Sequence, residues 1–279
     1  MKMPMPIFGL NGATTGSATM EADIHAASKG GYHVLEVRDD KIEQYLAQPG
    51  HSVTTLRGLI DAAGLETITV NALLDSTLPD ADKAPAMLDR CRTLCEWAAA
   101  LGARYIVAIP SFMRGRSIPD AEIHARSVAS LRAVAAVATP YGVKVGFEFL
   151  GFPTCSVRTL KVCRDIVDAV ADPNVGVIID MCHFYTGGSH LDEMDGLDPA
   201  SLYIVHMDDT EPGDPAKLTD ADRLLPGDGV IPLGEYIAAL RRIGYQGAYS
   251  LELFRPEYWK LDPQVIAQRG MEKMRALFG

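Results

Sequence analysis

Short apolar runs alternate with helical patterns along the chain, and the last four runs each close on a side chain able to bind a cation. They read Val-Lys-Val-Gly-Phe-Glu148, Val-Gly-Val-Ile-Ile-Asp180, Leu-Tyr-Ile-Val-His206 and Tyr-Ser-Leu-Glu252. Each has the length and apolar character of a buried strand, and each is followed by turn residues and then a helical pattern. Successive parallel strands start and end at common levels. Three carboxylates and one imidazole at the same strand ends therefore converge on one point. Four such groups would repel or remain unpaired there unless a cation joined them.

The earlier runs extend the same alternation. Strands are predicted at Ile7–Leu10, His33–Arg38, Glu66–Asn71, Arg104–Ile109, Lys144–Glu148, Val175–Asp180, Leu202–Met207 and Ala248–Leu253. Helices are predicted up to about Lys29, then over 52–63, 85–101, 119–141, 156–170, 189–197, 233–243 and 262–278. Eight strand–helix units in order predict a single (β/α)8 barrel spanning residues 1–279. The length of 279 residues suits one such barrel, typically about 250 residues. An open doubly wound sheet is the alternative, but no Gly-rich phosphate fingerprint follows the first strand. Residues 208–230 carry no clear periodicity between the seventh strand and its helix. A loop of that length inside a compact domain suits an active-site lid.

Composition narrows the function. Lys and Arg total 26 against 36 Asp and Glu, a formal charge of −10. That balance disfavours nucleic acid and anionic membrane surfaces, and leaves small neutral or metal-held substrates. No run approaches the roughly 20 apolar residues of a membrane helix. The first residues hold no apolar stretch of signal-peptide length. The five cysteines fall mostly inside regular elements and read as reduced thiols. The expectation is a cytoplasmic enzyme.

Glu148, Asp180, His206 and Glu252 form the expected ligand set for one divalent metal ion. Hard oxygen donors with one nitrogen suit Mn²⁺ first, with Mg²⁺, Co²⁺ or Zn²⁺ as alternatives. Such a centre can polarise a ketone and stabilise the enediolate formed when the adjacent proton leaves. Glu148 and Glu252 are the candidate catalytic acid and base, their roles interchangeable at this stage. His183, three residues after Asp180, and Arg223, in the lid, are candidate substrate contacts, against packed and solvated readings respectively. Asn71, at the end of the third strand, is a third candidate contact. Arg255, Tyr258 and Trp259 either wall the pocket or pack at the rim. Asp208 and Asp209 either orient a ligand or lie hydrated in the loop.

The motifs carrying these residues resemble those of the sugar isomerase/epimerase family built on the xylose-isomerase-like barrel, and within it the inosose isomerase branch. The similarity runs essentially end to end. It is carried by Asn11-Gly-Ala-Thr-Thr, Glu36-Val-Arg38, Asn71-Ala-Leu, Val107-Ala-Ile-Pro110, Glu148-Phe-Leu-Gly-Phe-Pro and Asp180-Met-Cys-His-Phe. His206-Met-Asp-Asp-Thr-Glu, Asp222-Arg-Leu-Leu-Pro-Gly and Glu252-Leu-Phe-Arg-Pro-Glu-Tyr are the more specific matches.

The resemblance implies metal-dependent interconversion of polyhydroxy ketones, an inosose or ketose sugar, by enediolate proton transfer in inositol or carbohydrate catabolism. It implies a metal site at Glu148, Asp180, His206 and Glu252, substrate contacts from His183 and Arg223, and a homo-oligomer, dimer or tetramer. A dehydratase acting on an inosose or dehydroshikimate-like substrate is the alternative chemistry for the same site. The chain departs from the family pattern at Gly12, where an acidic residue would follow Asn11, and at Phe152 and Tyr185, where histidines would stand. All three are expected to line the pocket.

Overall fold

The computed structural model describes residues 5–279. Residues 1–4 of the expected domain lie outside the described residues. The strands are β1 (Ile7–Asn11), β2 (Val34–Arg38), β3 (Glu66–Leu73), β4 (Tyr105–Ala108), β5 (Lys144–Glu148), β6 (Val175–Asp180), β7 (Leu202–Met207), β8 (Asp209–Thr210), β9 (Arg223–Leu224) and β10 (Ala248–Leu251). All but β8 and β9 close into one parallel barrel in the order β1-β10-β7-β6-β5-β4-β3-β2. The expected (β/α)8 architecture is therefore the fold.

The helices are α1 (Met20–Gly30), α2 (Asp39–Leu46), α3 (Val53–Ala62), α4 (Ala84–Leu101), α5 (Asp120–Ala138), α6 (Leu160–Val170), α7 (Met181–Gly187), α8 (Leu233–Arg242) and α9 (Pro263–Phe278). Local chemistry sets their ends. Thr19 and Thr159 cap α1 and α6 by accepting from Ala22 and Val162 amides, and Asp262 caps α9, whose first residue is Pro263.

Two elements differ from the sequence expectation. No α-helix spans Ser189–Leu197; only a 3₁₀ turn, Leu191–Met194, lies there. The helix instead begins at the strand end, as α7, because Asp180 accepts from the His183 amide at 2.7 Å and caps it immediately. Gly188, at φ 79°, then ends α7 in the left-handed conformation that glycine tolerates. The second addition is α2, which starts directly after β2 with Asp39 and Asp40 in its first turn, where the helix dipole favours carboxylates.

The two-residue period of the strands separates two environments. Leu35 and Val37, Phe147, Val177 and Ile179, Val205, and Tyr249 and Leu251 belong to the large core facing the helices. Val34, Ile68, Val107, Ile178, Ile204 and Ala248 form a separate cluster on the other face, inside the barrel. Alternation carries that inner face upward from Val34 to Glu36, from Ile178 to Asp180, from Ile204 to His206 and from Ala248 to Ser250 and Glu252. The barrel is thus plugged by hydrocarbon below and lined by charge at its C-terminal end.

A buried ion pair shapes the first rim loop. Lys41 donates to the Gly12 carbonyl (2.8 Å), Thr15 Oγ1 (3.0 Å) and Asp23 Oδ2 (2.7 Å), so every ammonium proton has an acceptor. Gly12 does not line the pocket as expected: a Cβ there would lie 2.9 Å from Asp23 Oδ2 and 3.1 Å from Arg38 Cγ. Burial raises the Asp23 carboxyl to about 6 despite Lys41 beside it. Folding therefore favours its protonated form, a contribution complete below the ordinary carboxylate range and lost as the pH rises through 6. Lys41→Met should destabilise the chain by about 3–5 kcal/mol near pH 8 by stranding Asp23, as read by urea unfolding. The loss should shrink at pH 5, where Asp23 takes up a proton.

Candidate metal centre

The expected ligand set comes together at strand ends. Glu148 closes β5, Asp180 closes β6, His206 lies within β7 and Glu252 follows β10 by one residue. Register sets Asp180 directly beside His206 and Ser250 on its other side. All four side chains are buried, and each offers one donor atom such that all four donors lie within 4.8 Å of one another. His206 Nδ1 is 3.0 Å from Glu148 Oε1, 3.3 Å from Glu252 Oε2 and 4.0 Å from Asp180 Oδ2. Its Nε2 faces the opposite way, 3.3 Å from Glu36.

Around this set the structure places further groups. Arg223 is 1% exposed, and its Nη1 donates to Asp180 Oδ2 (2.6 Å), Asp208 Oδ2 (2.7 Å) and Glu252 Oε2 (3.2 Å). Its other terminal nitrogen meets Asp220 at 2.8 Å and His183 Nε2 at 3.0 Å, and Phe254 lies over the guanidinium at 5.2 Å. Arg223 is therefore not solvated: it sits against two of the proposed ligands. An arginine has only donors, so His183 Nε2 must accept, which puts the imidazole proton on Nδ1. That Nδ1 is buried without a hydrogen-bond partner. Asn71 donates to Glu252 Oε1 at 3.4 Å, and Asn11 does so at 2.8 Å.

Electrostatics follow from burial. Burial, with Glu148 and Asp180 nearby, raises Glu252 to about 8 against the pull of His206 and Arg223. Burial also opposes ionisation of Asp180, but Arg223, His183 and His206 together hold it at about 2. Asp208, sharing the same guanidinium nitrogen, is pushed up by burial and by Asp180. Burial disfavours a charged His206, yet Glu252, Glu36 and Glu148 outweigh it and hold the imidazolium well above its ordinary range. The donor set fits a divalent cation: five buried carboxylates, Glu36, Glu148, Asp180, Asp208 and Glu252, crowd one guanidinium and one imidazole.

The expected lid has defined structure. Residues 209–210 and 223–224 pair as the antiparallel ribbon β8–β9, which delivers Arg223 inward. Asp209 is not hydrated: it accepts from the amides of Gly227 (3.1 Å), Gly229 (2.9 Å) and Ile231 (2.9 Å), pinning the return of the lid. Asp208 orients by accepting from the Cys182 amide and from Arg223.

Arg255 and Tyr258 hold the lid, through the Arg223 carbonyl and the Leu225 amide, and Trp259 donates to Ala13 at the rim. Phe152 lies edge-on to His183 with ring centroids 4.9 Å apart. Tyr185 instead packs against the helix-facing core. Sequence reasoning missed Asn11 and Glu36 as parts of the centre. Asn11 closes an apolar strand as the proposed ligands Glu148 and Asp180 do, and Glu36 interrupts one on its inner face. A cavity of about 460 Å³ opens beside Leu73, Asp75 and Arg90, lined by none of the four proposed ligands; its cations Lys83, Arg90, Arg114 and Arg116 each pair with a carboxylate.

Residues 24–277 match the family model for the xylose isomerase-like TIM barrel. The chain belongs to this family. The inosose isomerase of Bacillus velezensis (strain DSM 23117 / BGSC 10A6 / LMG 26770 / FZB42) is 34% identical over 269 residues, covering 96% of this chain and 95% of that one. The inosose isomerase of Bacillus subtilis (strain 168) is 35% identical over 260 residues, 92% of each chain. A 1.8 Å crystal structure of an IolI protein with a bound zinc atom superposes with a TM-score of 0.93 at 33% identity, over 98% of both chains. Within the family the protein is a divalent-metal-dependent isomerase or epimerase. Among the described residues no helix is long and apolar enough to cross a membrane.

The protonation pattern has a measurable consequence. At pH 7 Glu252, at about 8, mostly holds its proton, and His206 holds two. A cation must displace such protons to bind. Affinity of the metal-free protein for Zn²⁺ should rise between pH 6 and 8 by about tenfold per pH unit for each proton displaced. Calorimetry in buffers of different ionisation enthalpy should record the release. Binding independent of pH across that range would contradict this account.

Proposed function

We propose that the protein interconverts isomeric polyhydroxy ketones, an inosose being the substrate, with Glu148 and Glu252 moving the proton. The observation that carries this reading is the pair of buried glutamates flanking one imidazole nitrogen at 3.0 and 3.3 Å, within a four-donor cluster. The names borne by the relatives support the substrate class. Glu148, Asp180, His206 and Glu252 would hold the metal, for which Mn²⁺ is our assignment. When bound, a dication would supply Lewis-acid stabilisation of negative charge on adjacent substrate oxygens.

The rest falls to the chain's own side chains. Glu252, raised to about 8, is poised near neutrality to give or take a proton. The Asn11 amide, 2.8 Å from its Oε1, fixes which oxygen is committed to the scaffold. His183, with its proton on the unpartnered Nδ1, would donate to a substrate oxygen, which completes the hydrogen bonding of a buried group. Arg223 holds that tautomer while its charge favours ionised carboxylates around it. Asn71 lies within reach of the same carboxylate and would contact substrate beside it. Phe152 and its stacked neighbour Phe112 offer an apolar wall. The reading includes a cytoplasmic homo-oligomer, dimer or tetramer, in inositol catabolism.

Proton NMR of an inosose with the Mn²⁺-supplemented protein in D₂O tests the reaction. The expected result is reversible deuterium incorporation beside the carbonyl together with an isomeric ketone. An irreversible enone or dione would instead establish dehydration. Glu252→Gln should lower turnover by about 10²–10⁴-fold, the usual contribution of a positioned acid or base, and undiminished turnover would remove Glu252 from the mechanism.

A further inference from the structure

Glu36 has no assigned task in the chemistry above, yet it is buried in the barrel at 0% exposure. It enters from β2 and reaches His206 on β7, whose Nε2 lies 3.3 Å from each of its carboxylate oxygens. Thr69 Oγ1 donates to Oε2 at 3.1 Å and steadies the group. Oε1 makes no hydrogen bond of its own. Among the described residues no lysine or arginine forms an ion pair with it, so His206 is its charged partner.

The two ring nitrogens of His206 thus face different surroundings. Nδ1 looks into the cluster of Glu148, Asp180 and Glu252, while Nε2 looks at Glu36. A metal-ligating imidazole must present a lone pair at one nitrogen and keep its proton at the other. A carboxylate on the far side decides which is which and makes the ring a better donor.

We infer that Glu36 is a positioning residue for the metal centre: its carboxylate takes the Nε2 proton of His206 and so commits Nδ1 to the cation. The inference rests on the metal-site reading given above. Glu36 lies on the inner face directly above Val34, fully buried, and its side-chain partners are His206 and Thr69. Its reach to the metal cluster is through the imidazole.

Titration of Zn²⁺ into metal-free wild-type, Glu36→Gln and Glu36→Leu proteins against a chromophoric chelator tests it. Removal of such a partner typically weakens metal binding by about 10–100-fold. The expected order is wild type tightest, then Glu36→Gln, whose amide oxygen still accepts, then Glu36→Leu. Equal affinities in variants with native circular dichroism would overturn the inference while leaving the metal site standing. Failure of the wild type to bind any divalent cation would overturn both. Nitrogen-15 NMR of imidazole-labelled, Zn²⁺-loaded wild type gives a readout independent of any variant's folding. A protonated Nε2 on His206 is expected, and a protonated Nδ1 would refute the assignment.

Discussion

Mutual repulsion among buried carboxylates is the constraint on which the upper half of this barrel depends. Glu36, Glu148, Asp180, Asp208 and Glu252 are all at most 3% exposed and meet around one imidazole and one guanidinium. Water cannot screen them there, so each must be met by a donor or a cation. The response is local and ordered. His206 takes Glu148, Glu252 and Glu36; Arg223 takes Asp180, Asp208 and Glu252; Asn11 takes the remaining oxygen of Glu252. The excess of negative charge that persists is the feature a divalent cation would relieve.

The loop of residues 208–230 is part of this balance. Arg223 is carried by β9, and with it absent Asp180 and Asp208 would share a buried space with no guanidinium between them. The loop thus supplies, through one side chain, the charge that permits a rim this acidic. Asp209 completes the device from the other direction, since its three amide contacts hold the loop that returns from Arg223 to α8. Asp208 and Asp209, adjacent in the chain, thus do opposite things, one balancing charge inside the centre and the other folding the cover.

Much of this was legible in the sequence because strands end where their apolar runs end. Glu148 and Asp180 could be placed by that rule alone, His206 falls one residue short of the end of β7, and Glu252 overshoots β10 by one residue without leaving the inner face. The long loop after β7 was legible as missing periodicity, but its ribbon was not, because two-residue strands carry no pattern. The helix after β6 was misplaced because its cap is Asp180 itself, a residue already assigned to another task. Glu36 and Asn11 escaped for a related reason. A lone polar residue in an apolar strand looks like noise until alternation is tied to a closed barrel, which turns every second residue inward.

The departures at Gly12, Phe152 and Tyr185 bear differently on substrate choice once placed. Gly12 belongs to the Lys41–Asp23 support and Tyr185 to the outer core, so neither presents a side chain to the reacting centre. Phe152 does. Edge-on to His183 and stacked on Phe112, it replaces hydrogen-bonding capacity with a flat apolar surface. A cyclic polyol has hydroxyls around its edge and C–H bonds on its faces, so such a wall suits a ring lying face-on. The polar groups on the other side, the His183 Nδ1 and the four-donor cluster, would then engage the ring's edge. For the inosose proposed above, selectivity would therefore rest on the apposition of one aromatic face and one oriented imidazole beside the charge cluster.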